Sequence, residues 1–254
     1  MLQIRGCESV VWRLQSTGRW QIYETVSPVS TYPPAPWTLG GWGVATVGFV
    51  DSAAAAAYVP AGAQLVTVVP GKTIGGLFFF SYDYGSLAYR ELNVVAGIVR
   101  VGMRFAFLLP RLYVDSPASL AGGREIWAVP KELASFEIDR DVDVTSIDVR
   151  QGSQRVCRLR CPVPAWGFRL PIPLPSFGLR DDAFLFFTGM LVSRTSLVRA
   201  EVELPPGGEF AALGLDRPRV ALRCENLTLA VPAPRAVLRP LERRATSYGA
   251  TTVQ

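Results

Sequence analysis

The segment GREIWAVPKELA, residues 123–134, carries Lys131, one of only two lysines in a chain of 254 residues whose other side-chain cations are arginines. The second is Lys72. Arginine is a permanent cation, whereas a desolvated lysine can shed its proton and become a nucleophilic amine. An ordinary lysine, with a pKa of ~10.4, is neutral in about one molecule per thousand near pH ~7.4. Apolar surroundings raise that fraction by penalising the charge. Here IWAV and Pro130 precede the amine, and Leu133 and Ala134 follow it. The bland alternative is a loop lysine standing in water.

Other chemistries are excluded by composition. The chain contains no histidine, which removes Ser-His-Asp and Cys-His catalysis and the HExxH zinc site. Of the four cysteines, Cys157 and Cys161 have three residues between them rather than the two of a CxxC motif, and neither Cys7 nor Cys224 completes a second pair. They read as buried thiols of a reducing compartment, with no metal site. The net charge of +5 is not gathered into a basic patch with interleaved aromatics, so no nucleic-acid partner is expected. The densest basic stretch, RVCRLRC at 155–161, has the alternation of a half-buried strand. No stretch approaches the length of a membrane span and the N-terminus lacks an apolar signal-peptide core, so no membrane partner is expected and the cytoplasm is the default location.

These residues need a scaffold, and the composition suggests one. Hydrophobic residues make up 49% and charged residues 19%, with 23 glycines and 20 prolines spread along the length. That pattern predicts a packed, mainly β protein, α+β with few helices, in a single domain over 1–254. Residues 1–36 read as an irregular arm, and residues from 243 to the end as a frayed tail. A strand at 43–50 leads into a short helix with Asp51 or Ser52 as N-cap and Pro60 closing it. Strands follow at AQLVTVVP, GGLFFFSYDY, YRELNVVAGIVRV and RFAFLLPRLYVDS, then a loop or short helix at SPASLAGGREIWAVPKELA. The alternation through 135–161 predicts a meander, and PVPAWGFRLPIPLPSFG reads as a proline-rich connection. Periodicity leaves the apolar run 183–204 open between helix and strand. RVALRCENLTLAVP supplies the closing strands.

GGREIWAVPKELA is similar to the signature of the acetoacetate decarboxylase family, in which Gly-Arg-Glu is followed by mostly apolar residues and then Pro-Lys. YRELNVV resembles the family's Tyr-x-Glu segment, RLYVDSPASLA the strand and turn before the signature, and DSAAAAAYVP its short helix. RVALRCENLTLAVPAPR has the look of its closing strands. The similarity extends over about residues 40–237. It implies an antiparallel β-barrel-like fold, a homo-oligomer and a Schiff-base lysine, which falls on Lys131. The family is itself the known example of a lysine activated by a neighbouring cation. Glu91 is then a pocket carboxylate that moves a proton or orients substrate. Its alternative is an exposed strand glutamate paired with Arg90 or another arginine. Tyr89 and Trp127 fall near the pocket, and Arg124 and Glu125 are expected as an ion pair holding the lysine loop.

A protonated imine is an electron sink, so the implied chemistry needs no cofactor and no metal. The leading reading that the resemblance implies is a Schiff-base lyase of the acetoacetate decarboxylase type, in which a small-molecule carbonyl partner, a β-keto acid or a related compound, loses carbon dioxide to an enamine. A same-fold aldolase, dehydratase or cyclase would use the same intermediate, and a non-catalytic β-barrel binding protein would use none. The sequence departs from the family pattern at three places. Glu132 stands where decarboxylases carry a second lysine, and LGGWGV lacks an arginine found ahead of the first strand-helix unit. A family glutamate falls near Gly76. Strand alternation would turn Glu132 away from the amine. The loss of cations, with an aromatic set taken as exposed (Phe78 to Phe80, Tyr82, Tyr84 and Trp127), suggests a larger or less polar carbonyl substrate than acetoacetate.

Overall fold

A computed structural model describes residues 32–181 and 183–238, together with two strands near the N-terminus. The chain groups into two compact units, Met1–Thr31 and Tyr32–Gln254. In the first, where the sequence suggests an irregular arm, the strands Val10–Leu14 and Trp20–Glu24 pair antiparallel. Cys7 and the tail expected from residue 243 lie outside the described residues.

The second unit is built on a nine-stranded sheet. Its order runs from Lys131–Leu133 through Arg111–Val114, Tyr89–Val95, Lys72–Gly85, Trp37–Asp51, Val220–Val231 and Ala183–Val198 to Phe168–Arg180, with Arg235–Leu238 also on Ala183–Val198. Long apolar runs suit a sheet covered on both faces. Along LFFF, Leu77 and Phe79 enter one core cluster, while Phe78 and Phe80 enter the other. The first cluster is closed by Ile147, Val149 and Leu159 of a meander formed by Ser135–Arg140, Val144–Gln151 and Gln154–Pro162. The second surrounds Trp37, Tyr82, Tyr89 and Trp127. Phe78 to Phe80, Tyr82 and Trp127 are therefore buried, not exposed as the sequence suggests, and only Tyr84 of that set reaches solvent.

The fold is mainly β, with two α-helices among the described residues. The barrel-like closure implied by the resemblance is not found among the described residues. The end strands Lys131–Leu133 and Phe168–Arg180 do not pair, and the meander and a three-stranded group form separate sheets. The stretch read as a proline-rich connection contains the strand Phe168–Arg180. Pro171, Pro173 and Pro175 fall at alternate positions, so they remove N–H donors from one side only. The other side remains free to pair with Ala183–Val198. The missing donors also leave an edge that cannot readily accept another strand.

Two stretches read as single strands are each divided. Tyr89–Val95 and Gly97–Val101 lie in different sheets, as do Arg104–Leu108 and Arg111–Val114 on either side of Pro110. The undecided apolar run is the strand Ala183–Val198. The short helix α1, Ser52–Ala56, is capped by Asp51, which accepts from the Ala53 and Ala54 N–H groups. No helix among the described residues is long and apolar enough to cross a membrane.

Candidate active site

Lys131 reaches its place through the one parallel connection in the large sheet among the described residues. Parallel neighbours require a crossover, supplied here by helix α2, Pro117–Ile126. Ser116 caps it by accepting from Ser119 N–H at 3.2 Å, and Pro117 occupies its first turn, where a missing N–H is harmless. Trp127 ends the helix and Ala128 takes a left-handed φ of 54°, an uncommon conformation for a residue with a side chain. The chain then turns so that Lys131 lies beside Leu112, itself beside Asn93. The Arg124 guanidinium donates to the Lys131 carbonyl at 2.9 Å and ties the strand back to α2.

The amine is almost fully withdrawn from water, with Lys131 5% exposed. Its Nζ lies 2.7 Å from Glu91 Oε2 and donates to Ser119 Oγ at 2.9 Å. It also stands 5.0 Å from the centre of the Tyr89 ring and 5.8 Å from that of Trp37, close enough for cation–π attraction. Glu91 is held from its other side. Asn93 Nδ2 donates to its Oε1 at 3.2 Å, and Tyr89 Oη reaches Oε2 at 3.4 Å. Burial, reinforced by the Glu91 carboxylate, pushes the phenols of Tyr82 and Tyr89 well above their ordinary range. Both therefore remain protonated donors.

This pair forms part of the wall of a small cavity of about 90 Å³. The walls are mostly aromatic and aliphatic, including Trp37, Phe78, Phe80, Phe107, Trp127 and Leu229. Glu91, Asn93, Ser176, Tyr82 and Tyr89 join Lys131 as the polar lining. A small set of converging polar groups in an apolar cleft is the usual form of a small-molecule site.

The structure brings Lys131, Glu91, Tyr89 and Trp127 to this cavity. Glu91 is buried, and Arg90 pairs with Asp115 instead of with it. Trp127 packs edge-on to Trp37 at 4.7 Å and donates from Nε1 to the Pro232 carbonyl at 2.8 Å. The expected ion pair between Arg124 and Glu125 does not form. Neighbours on a helix point in different directions: Arg124 turns to the lysine strand, and the Glu125 carboxylate accepts from Tyr32. Glu132 points away from the amine, meeting Arg111 at 3.2 Å and Gln151 at 2.6 Å. Lys72 pairs with Asp51 at 3.2 Å in a half-exposed position.

Sequence reasoning missed Ser119 and Asn93, and took Tyr82 as exposed instead of as a hydroxyl lining the cavity. Asn93 and Tyr82 had a readable signal, since each lies two positions along its strand from a residue on the cavity face, Glu91 and Phe80. Ser119 had none, because its contact with Lys131 arises from the fold of α2 over the strand. Cys157, Cys161 and Cys224 are buried, and no group of three potential metal-ligating side chains is found among the described residues.

Comparison with known proteins places this geometry in context. A family model described as acetoacetate decarboxylase matches residues 25–163. Protein NEOXANTHIN-DEFICIENT 1 of Arabidopsis thaliana is 32% identical over 108 residues, 42% of this chain and 38% of the relative. Its namesake in Oryza sativa subsp. japonica is 32% identical over 102 residues, 40% of this chain and 33% of the relative. The match thus spans less than two fifths of the length of these curated relatives. Among solved structures, acetoacetate decarboxylase from Legionella pneumophila superposes with a TM-score of 0.63 at 17% identity, covering 85% of this chain and 94% of the other. The enduracididine biosynthesis enzyme MppR, complexed with pyruvate, gives a TM-score of 0.58 at 15% identity over 85% and 94% of the two chains. At these identities the structural likeness carries the fold alone.

Proposed function

The chain belongs to the acetoacetate decarboxylase family, and from that premise we propose that it is a Schiff-base-forming enzyme using Lys131 to activate a carbonyl substrate. The observation that carries this reading is the 2.7 Å contact between Lys131 Nζ and Glu91 Oε2 at the wall of an apolar cavity. Glu91 takes a proton from the ammonium, leaving a neutral amine beside a neutral carboxylic acid. The amine adds to the carbonyl carbon and its surplus proton passes to the oxygen, giving a carbinolamine. The Glu91 acid then protonates the departing hydroxyl, which leaves as water, and a positively charged iminium remains opposite a restored carboxylate. Ser119 and the ring faces of Tyr89 and Trp37 help hold Nζ in place through these steps.

The iminium has two productive outcomes. A β-keto acid expels carbon dioxide, and the electrons of the broken carbon–carbon bond form an enamine. Protonation of that enamine at carbon and hydrolysis of the imine release the ketone and free Lys131. Alternatively, a substrate without a carboxylate loses an α-proton to a base such as Glu91, and its enamine serves aldol, dehydration or cyclisation chemistry. The second outcome is favoured by the cavity lining. Lys131 is its one basic side chain among the described residues, and it already faces Glu91.

Both outcomes pass through an enamine, which exchanges α-hydrogens with solvent. A simple methyl ketone incubated with the protein in deuterated water should therefore lose its α-proton NMR signal, and Lys131→Met should abolish the enzymatic part. Equal exchange by the variant would defeat the proposal. Carbon dioxide release from a β-keto acid, measured alongside, separates the two outcomes.

A further inference from the structure

Tyr82 contributes a buried hydroxyl that the imine chemistry does not use. Its side chain lines the cavity and is 2% exposed, and its Oη has no hydrogen-bond partner among the described residues. The ring is fixed by Phe80, stacked at 5.8 Å, and by Tyr89 at 4.9 Å between ring centres. A buried donor left unpaired is penalised unless something else accepts from it. Tyr89 neighbours both groups, its ring centre 4.9 Å from that of Tyr82 and 5.0 Å from Lys131 Nζ. A ligand attached to Lys131 and extending along Tyr89 would therefore run toward Tyr82.

We propose that Tyr82 Oη is a specificity-determining donor to a second, uncharged acceptor on the substrate, so that the site selects neutral carbonyl compounds bearing a remote oxygen over keto carboxylates. The inference rests on the imine reading for the position of the carbonyl end. Its chemical basis is the kind of group offered: a neutral phenol pairs well with an ether, hydroxyl or second carbonyl oxygen. A carboxylate moved from water into an aromatic cavity needs a cation or several donors. Glu91 lies on the same wall and would repel it. The phenol stays protonated because burial opposes its ionisation, so the selectivity should persist across the working pH range.

Three methyl ketones of similar length test this: methoxybutanone, with an ether oxygen; hexanone, its all-carbon counterpart; and levulinate, which ends in a carboxylate. Two readouts are taken on wild type and Tyr82→Phe: binding, from quenching of tryptophan fluorescence (Trp37 and Trp127 line the cavity), and borohydride-trapped adduct on Lys131. Wild type should bind methoxybutanone roughly three- to tenfold more tightly than hexanone, the range of one neutral hydrogen bond, and levulinate least. Tyr82→Phe should lose the ether preference and bind hexanone as before. An unchanged preference in Tyr82→Phe, no preference in wild type, or strongest binding of levulinate would overturn the inference. If the binding preference is present and Tyr82-dependent while no adduct can be trapped, the imine reading fails and the assignment of Tyr82 stands.

Discussion

Gly123 in helix α2 lies so close to the stem of Lys131 that a β-carbon there would stand 2.4 Å from Cδ and 2.7 Å from Cε. The glycine leaves the channel along which the lysine reaches Glu91. Gly123→Ala favours the helix intrinsically, yet it must push the amine aside. Imine formation should fall on the order of tenfold or more, since small misplacements of a reacting group are costly. The thermal midpoint should fall much less than for a core cavity variant. Unchanged exchange kinetics in Gly123→Ala would show that the close contact does not set the amine's position.

Lys131 and Glu91 are each a liability without the other. Removing one partner of a buried pair leaves an uncompensated charge, whereas replacing both with apolar groups is often neutral. Lys131→Met and Glu91→Leu should each destabilise the fold by about 3 kcal/mol in urea unfolding. The double variant should recover most of that loss while remaining inactive. Additive losses in the double variant would mean the two side chains do not act as a pair.

Glu91→Gln tests the proton transfer separately. It keeps the shape and a hydrogen-bonding oxygen but removes the proton acceptor. Exchange of ketone α-hydrogens should slow by roughly 10²- to 10⁴-fold, the usual contribution of a positioned acid–base group. A variant within a factor of a few of wild type would assign the proton transfer elsewhere.

Burial pushes the Cys157 thiol up from about 9 to about 12. Above pH ~9 an unfolded chain releases this proton while the folded chain keeps it, so the unfolded state binds fewer protons and stability falls. The contribution is complete below about 9 and is lost as pH rises toward about 12, at up to about 1.4 kcal/mol per pH unit. Cys157→Val should flatten the alkaline limb of a stability–pH curve relative to wild type. Curves of equal slope would place that sensitivity in other groups, such as the buried tyrosines.

Trp166 and Phe168 meet edge-to-face at 5.5 Å while remaining 68% and 66% exposed. Leu170, also exposed, lies two positions further along the strand from Phe168. Large apolar side chains gathered at a surface commonly mark a protein contact, and we expect this one to be covered in a homo-oligomer. Light scattering should report a mass above one chain for wild type and a smaller mass for Phe168→Glu. A monomeric wild type would remove this expectation.

The chemistry of the site was more legible in the sequence than its architecture. Lys131 stood out because arginine serves nearly every other basic position; of its apolar flanks Trp127 and Val129 are buried, whereas Pro130 and Leu133 face solvent. Glu91 was legible through the family likeness and not through its pattern, which equally suits a solvent-facing strand glutamate. Helix α2 could have been read from Ser116-Pro117, an N-cap followed by a residue suited to the first turn. The edge strand Phe168–Arg180 was hidden because prolines usually signal breaks, although their spacing of two is the periodicity of a strand. Ser119 meets Lys131 only through the parallel crossover, a relation that no local pattern encodes.

The most direct measurement is peptide mass mapping after borohydride reduction in the presence of a methyl ketone. The account predicts one stable adduct, on the peptide containing Lys131, with Lys72 unmodified and no adduct in Lys131→Met. A protein that remains unmodified, or one labelled equally at Lys72, would contradict it.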